Sequence, residues 1–209
     1  MASISPTSHP VSSSLGEPAW ELALLYPPQG QWSISEYLEI TERTNQLVEF
    51  TSGKIEVLEM PTIEHQKIVG FLFMVLQAAA EGGLVLMAPL PTTITQGKIR
   101  EPDIIFKLRK NLPRPEEQYF NGADLIIEVV SPDKKSHERD YCIKRADYAE
   151  GGIPEYWIVD PQEKQITVLT LKEKTYIEHG VFREGQTANS KLLEGFNVDV
   201  AAVFAAAKA

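Results

Sequence analysis

The spacing of apolar positions changes several times along the chain. Ile34, Tyr37, Leu38 and Thr41 recur at helical intervals behind Ser33 and Glu36, which stand in capping-box spacing, so a short first helix is predicted there. "QLVEFTSGKIEVLEM" then reads as two extended runs around Ser52-Gly53, a dipeptide suited to a hairpin turn. After Pro61, the positions Ile68, Val69, Leu72, Leu76, Ala79 and Ala80 draw one apolar face. Thr62 is placed to cap this second helix and Gly82-Gly83 to stop it. Strand-like runs follow: "LVLMAPL", "TTIT", "PDIIFKL", "DLIIEVV", "YWIVDP" and "ITVLTL". One helix interrupts them between Asp133 and Glu150, ending at Gly151-Gly152, with Asp140, Lys144 and Tyr148 four residues apart along one side. "VDVAAVFAAAKA" is predicted to close the chain as a helix.

A helix, several antiparallel-looking strands and then a β-α-β unit predict an α/β protein in the broad sense (α+β), with a mixed central β-sheet flanked by helices. "DLIIEVV", apolar almost throughout, belongs at the centre of that sheet. No composition shift divides residues 33–209, which are expected to form one domain. Residues 1–32 are expected to be an N-terminal tail, its first fourteen residues Ser-rich, with two prolines and no sustained apolar run, and disordered.

Charge narrows the classes of function. The 209 residues carry a net charge of -9, which argues against coating nucleic acid by bulk electrostatics and leaves a localised basic groove or a bound cation that reverses the local sign. No apolar run is long enough to span a bilayer, so no membrane association is expected and the cytoplasm is the expected compartment. Cys142 is the only cysteine, excluding an internal disulfide, and is expected to be a small buried hydrophobe.

Two of the core-like strands carry an acid: Asp103 at the start of one and Glu128 near the end of another. If these strands are neighbours the carboxylates converge and repel, and a divalent cation relieves that repulsion. Mg²⁺ needs only one or two protein carboxylates beside waters and substrate phosphate. Phosphoryl chemistry also favours a lysine near the nucleophile. Val130, two residues after Glu128, cannot supply it; Lys144 on the following helix can. Each residue has a plainer reading. Asp103 can bond backbone at a strand start, Glu128 can sit in a buried ion pair, and Lys144 can be a solvated partner of Asp140. Glu49, alternating with Val48 and Phe50, can mark the polar face of a hairpin, and His65 reads as a surface or capping residue. Histidines 9, 65, 137 and 179 have no metal-ligand spacing, so zinc has no expected role. Basic residues cluster at Lys107, Arg109, Lys110 and Arg114, and at Lys134, Lys135, Arg139, Lys144 and Arg145. Both clusters are expected to flank the site and contact phosphates.

Pro102-Asp103 followed by Glu128-Val129-Val130 resembles the PD-(D/E)XK nuclease signature with its last lysine displaced. From about Ser33 onward, "LVEFTSGKIEVLEMPTIEHQKIVGFL", "EPDIIF", "LIIEVVSPD" and "RDYCIKRADYAEGGIPEYWIVDP" resemble the bacterial Uma family of restriction-endonuclease-like proteins. The resemblance implies a restriction-endonuclease-like core and an endonuclease that cleaves DNA with Mg²⁺, for which Mn²⁺ can substitute. It assigns Asp103 and Glu128 to the metal, Lys144 to the migrated catalytic lysine and Glu49 to a further acid near the metal. A homodimer is expected by analogy, since two sites suit double-strand cleavage. Two rivals stand beside it: a catalytically silent module of the same fold that binds nucleic acid or protein, and a purely structural role for the acids in ion pairs with Lys144 or Lys98.

Overall fold

Ser33 caps the first helix as its spacing predicts: its hydroxyl accepts the Glu36 N–H while the Glu36 carboxylate accepts the Ser33 N–H at 2.8 Å. The computed structural model describes residues 27–44, 46–114 and 120–208, so most of the predicted tail lies outside the described residues. In chain order the elements are α1 (Ile34–Thr41), β1 (Val48–Thr51), β2 (Lys54–Val57), α2 (Ile63–Ala79), β3 (Leu84–Met87), β4 (Thr92–Thr95), β5 (Lys98–Arg100) and β6 (Ile104–Lys107). After a 3-10 turn (Arg109–Asn111) come β7 (Phe120–Asn121), β8 (Leu125–Val129), α3 (Lys134–Glu138), a π-helical turn (Arg139–Lys144) and α4 (Arg145–Glu150). The chain continues through β9 (Glu155–Asp160), β10 (Gln165–Lys172), β11 (Thr175–Arg183), β12 (Thr187–Asn189), β13 (Asn197–Asp199) and α5 (Val200–Ala206).

The central sheet has six strands in the order β11-β10-β9-β8-β6-β3, mixed as predicted: β8 runs antiparallel to β6 and parallel to β9. All five residues of β8 are buried, which explains its unbroken apolar composition. Strand alternation sorts them by face. Leu125, Ile127 and Val129 join Ile68, Leu72 and Leu76 of α2 and Val203 and Phe204 of α5 in one core. Ile126 and Val130 pack with Tyr148, Ala149 and Tyr156 on the other side. Glu128 therefore points toward the α3–α4 helical run.

A second sheet was not expected from the sequence. It has five strands in the order β2-β1-β5-β4-β7 and carries the predicted hairpin of β1 and β2. Its members without a sequence signal, β5 and β7, are only three and two residues long, too short to display a period. Thr62 caps α2 by accepting the His65 N–H, and the predicted helix after Asp133 forms as one backbone run containing the π turn. Cys142 is exposed, contrary to expectation, because its stretch of that run faces solvent. Among the described residues, no helix is long and apolar enough to cross a membrane.

Candidate active site

The two acids noticed on core strands do meet. Ile104 of β6 lies opposite Ile127 of β8, so the same antiparallel register carried one residue further sets Asp103 across from Glu128. Asp103 Oδ2 accepts the backbone N–H of Val129 at 2.7 Å and lies 3.1 Å from His65 Nε2. Glu128, 2 % exposed, receives the Lys144 ammonium at 2.8 Å on Oε1, and the same oxygen accepts the Tyr148 hydroxyl. Glu49, at the middle of β1, is buried rather than on a solvated hairpin face, with Oε1 3.5 Å from Lys144 Nζ. Asp140 lies 3.8 Å from the same ammonium. Asp103, Glu128, Lys144 and Glu49 are thus brought together by two sheets and one helical run.

Lys144 is 3 % exposed, which removes its reading as a solvated helix residue. It is the last residue of the π turn, whose buried residues are Asp140 and Lys144, and α4 carries the buried Tyr148 one turn further on. Burial works against the ammonium, yet Glu128, Glu49 and Asp140 outweigh it and hold Lys144 charged well above its ordinary range. Burial pushes the Glu128 carboxyl up to about 8 against the opposing pull of Lys144, with Asp103 and Asp140 adding to the rise. Asp140 is pushed up to about 6 in the same way, opposed by Lys144 and Arg139. Carboxyl groups held near neutrality by burial and mutual repulsion, around a buried cation, are a mark of functional sites.

Several participants escaped sequence reasoning. His65 is a buried partner of Asp103, and its position in the first turn after a predicted cap was the available signal. Arg100 is buried, pairs with Asp147 at 2.6 Å and lies 3.7 Å from Glu49, tying β5 to α4 and β1. Its neighbour Glu101 donates its N–H to Glu49 Oε1 at 3.4 Å, and burial, with Glu49, pushes its own carboxyl up to about 7. Lys98 pairs with Asp147 and Glu150, not with the acids of the site. The first basic cluster does not flank the site. Lys107 sits at the far end of β6 from Asp103, about 13 Å away at strand rise, and is buried with its ammonium on the Asn121 carbonyl. The second cluster does adjoin it: Lys135 and Arg139, together with Lys54 from the hairpin, line a cleft of about 560 Å³ whose walls also include the acids Glu49, Glu56, Glu138 and Asp147. Arg145 departs from that cluster, donating to the Tyr176 carbonyl.

The donors present suit a hard cation. Among the described residues no hydrogen bond engages Asp103 Oδ1 or Glu128 Oε2, while the opposite oxygen of each is held by two partners. Among the described residues no three His, Cys, Asp or Glu side chains are grouped so as to hold a metal ion together.

A mixed sheet flanked by helices, with paired carboxylates at adjoining strand ends and a lysine beside them, defines a restriction-endonuclease-like α+β protein. The sequence matches the model of the Uma2 family, described as putative restriction endonuclease, over residues 34–201, and the chain belongs to that family. A similar solved structure is that of a putative nuclease belonging to DUF820 from Anabaena variabilis. It shares 20 % identity, covers 84 % of this chain and 99 % of its own, and superposes with a TM-score of 0.72, which establishes the common fold. No curated protein matches the sequence.

Proposed function

We propose that this protein is a Mg²⁺-dependent endonuclease that hydrolyses phosphodiester bonds in DNA. The observation that carries the reading is the buried Lys144, held between Glu128 and Glu49 beside Asp103 where two central strands end. Asp103 and Glu128 would hold the cation through their uncommitted oxygens. A bound divalent cation lowers the pKa of a water and stabilises charge developing on the phosphodiester. Tyr148 and Lys144 fix Glu128 Oε1 and so set the aim of the other oxygen. Lys144 Nζ, with donors to spare for a substrate oxygen or the attacking water, is the migrated counterpart of the lysine that Val130 cannot provide. Lys54, Lys135 and Arg139 line the cleft leading to Glu49 and would take the DNA backbone phosphates.

The test is calorimetric titration of Mg²⁺ and Mn²⁺ into wild type, Asp103→Asn and Glu128→Gln, followed by nicking of supercoiled plasmid with the same samples. Metal-dependent nicking by the wild type, reduced on the order of 10²-fold or more in both variants, is expected. Undiminished nicking in either variant overturns the assignment. A second reading, a catalytically silent binding module, is favoured by the near-complete enclosure of Lys144 and by Val130 at the usual lysine position. It expects DNA or protein binding with no metal-dependent turnover.

A further inference from the structure

We infer that His65 is a positioning residue of this site, holding Asp103 through Oδ2 so that Oδ1 stays presented to the cation; the inference rests on the metal-dependent reading above. The first turn of α2 is fixed by its cap, Thr62 Oγ1 accepting the His65 N–H at 3.1 Å. From there the imidazole reaches the start of β6, where Nε2 lies 3.1 Å from Asp103 Oδ2. A carboxylate oxygen in this contact is the acceptor, which makes Nε2 the donor. The side chain is 92 % buried, 8 % of it exposed, and its Nδ1 has no hydrogen-bond partner. Among the described residues, its one side-chain hydrogen bond by distance is to that carboxylate oxygen, and the backbone of Val129 adds a weaker interaction.

That oxygen does not need His65 to be satisfied, because the Val129 N–H already donates to it at 2.7 Å. The second donor adds direction. Two donors from different elements, the α2 imidazole and the β8 backbone, pin Oδ2 and prevent the carboxylate from rotating about its last torsion. With the Val129 bond alone, Asp103 would exchange its two oxygens, and a cation would have to order the group on binding. Hydrogen-bond partners behind a ligating carboxylate commonly change metal affinity by about 10–100-fold. A histidine kept only for packing would have no reason to place a polar ring here, where an apolar side chain fills the same volume without an orphaned Nδ1.

The test measures Mn²⁺ affinity by calorimetry, with thermal melts of the metal-free chains in parallel. His65→Met fills the space without a donor, and His65→Gln restores an amide N–H near the position of Nε2. Mn²⁺ binding roughly 10–100-fold weaker in His65→Met, and restored to within a few-fold in His65→Gln, is the expected result. In an Asp103→Asn background, His65→Met should weaken binding no further. Equal Mn²⁺ affinity in wild type and His65→Met, whatever the melting temperatures, overturns the positioning role and leaves the nuclease reading standing. A His65→Gln variant as weak as His65→Met overturns it too, since the donor would then not be what matters. Absence of Mn²⁺ binding by the wild type overturns both. If His65→Met does not fold, His65→Asn, whose amide is too short to reach Asp103, replaces it with the same expectations.

Discussion

At the scale of single residues, the site is governed by how one ammonium and several carboxyl groups share a dry space. Lys144→Met would leave Glu128, Glu49 and Asp140 facing one another without their cation, and breaking such a buried pair costs about 3–5 kcal/mol, read as a fall in chemical-denaturation midpoint. The pH dependence follows from Glu128. Its carboxyl, ordinarily near 4.5, is raised by burial to about 8, so between those values the folded protein retains a proton that the unfolded chain has released. Metal-free stability should therefore fall as pH rises through that window, and fall less steeply in Glu128→Gln. Because the same proton competes with a cation, Mn²⁺ affinity should rise over the same interval, which calorimetry at stepped pH would measure. The sequence marked Asp103 and Glu128 because acids inside apolar runs are rare, and Lys144 because it is the lysine on the following helix that can stand in for Val130. It gave no comparable mark to Arg100, Glu101 or His65, whose burial arises only when β1, β5 and α2 come together.

Secondary-structure elements hold these residues at fixed distances, and their junctions are where substitutions should propagate. Gly151 closes α4 directly against β4: a Cβ there would lie 2.6 Å from Ile94 Cγ2 and 2.8 Å from the Ile94 carbonyl oxygen. Gly151→Ala should push the helical run carrying Lys144 off the second sheet, lowering stability by about 1–3 kcal/mol and reducing nicking together with melting temperature. A different junction is anchored by Glu155 at the start of β9. This fully buried carboxylate accepts from Trp157 Nε1, Ser190 Oγ and the N–H groups of Lys191 and Leu192, fastening the turn before β13 to the central sheet. Glu155→Ala should cost about 3 kcal/mol or more, with metal affinity unchanged because the site is elsewhere. Helix starts, the first hairpin and the central strand were legible, since caps, turn dipeptides and apolar runs are local signals. The short strands β5, β7, β12 and β13 were not, because two or three residues cannot display a period and form only by pairing.

Across the whole molecule, a net charge of -9 coexists with a cleft where Lys54, Lys135 and Arg139 approach Glu49. Binding of DNA there should be local and salt-sensitive rather than spread over the surface. Lys135→Ala should weaken binding to any DNA sequence alike and reduce the slope of log affinity against log salt by about 1, whereas Arg109→Ala, beyond the far end of β6, should change neither. A homodimer, expected because paired sites suit double-strand cleavage, would appear in light scattering as twice the 23.4 kDa of one chain.

What the sequence determined by itself is what neighbouring residues decide among themselves: helix caps at Ser33 and Thr62, the turn at Ser52-Gly53, and the apolar β8 with an acid that must be neutralised. It also placed the chain near its family through ordered motifs whose spacing survives without a structure. Tertiary structure alone decided which charges meet. The register of β6 on β8 set Asp103 across from Glu128, packing buried Lys144 at the end of the π turn, and the second sheet brought Glu49 and Arg100 beside it. It also carried Lys107 away from the site and His65 into it. The physical reason is range: caps, turns and periodicity act over a few residues, whereas desolvation and ion pairing depend on groups separated by tens of residues in the chain and by less than 4 Å in space.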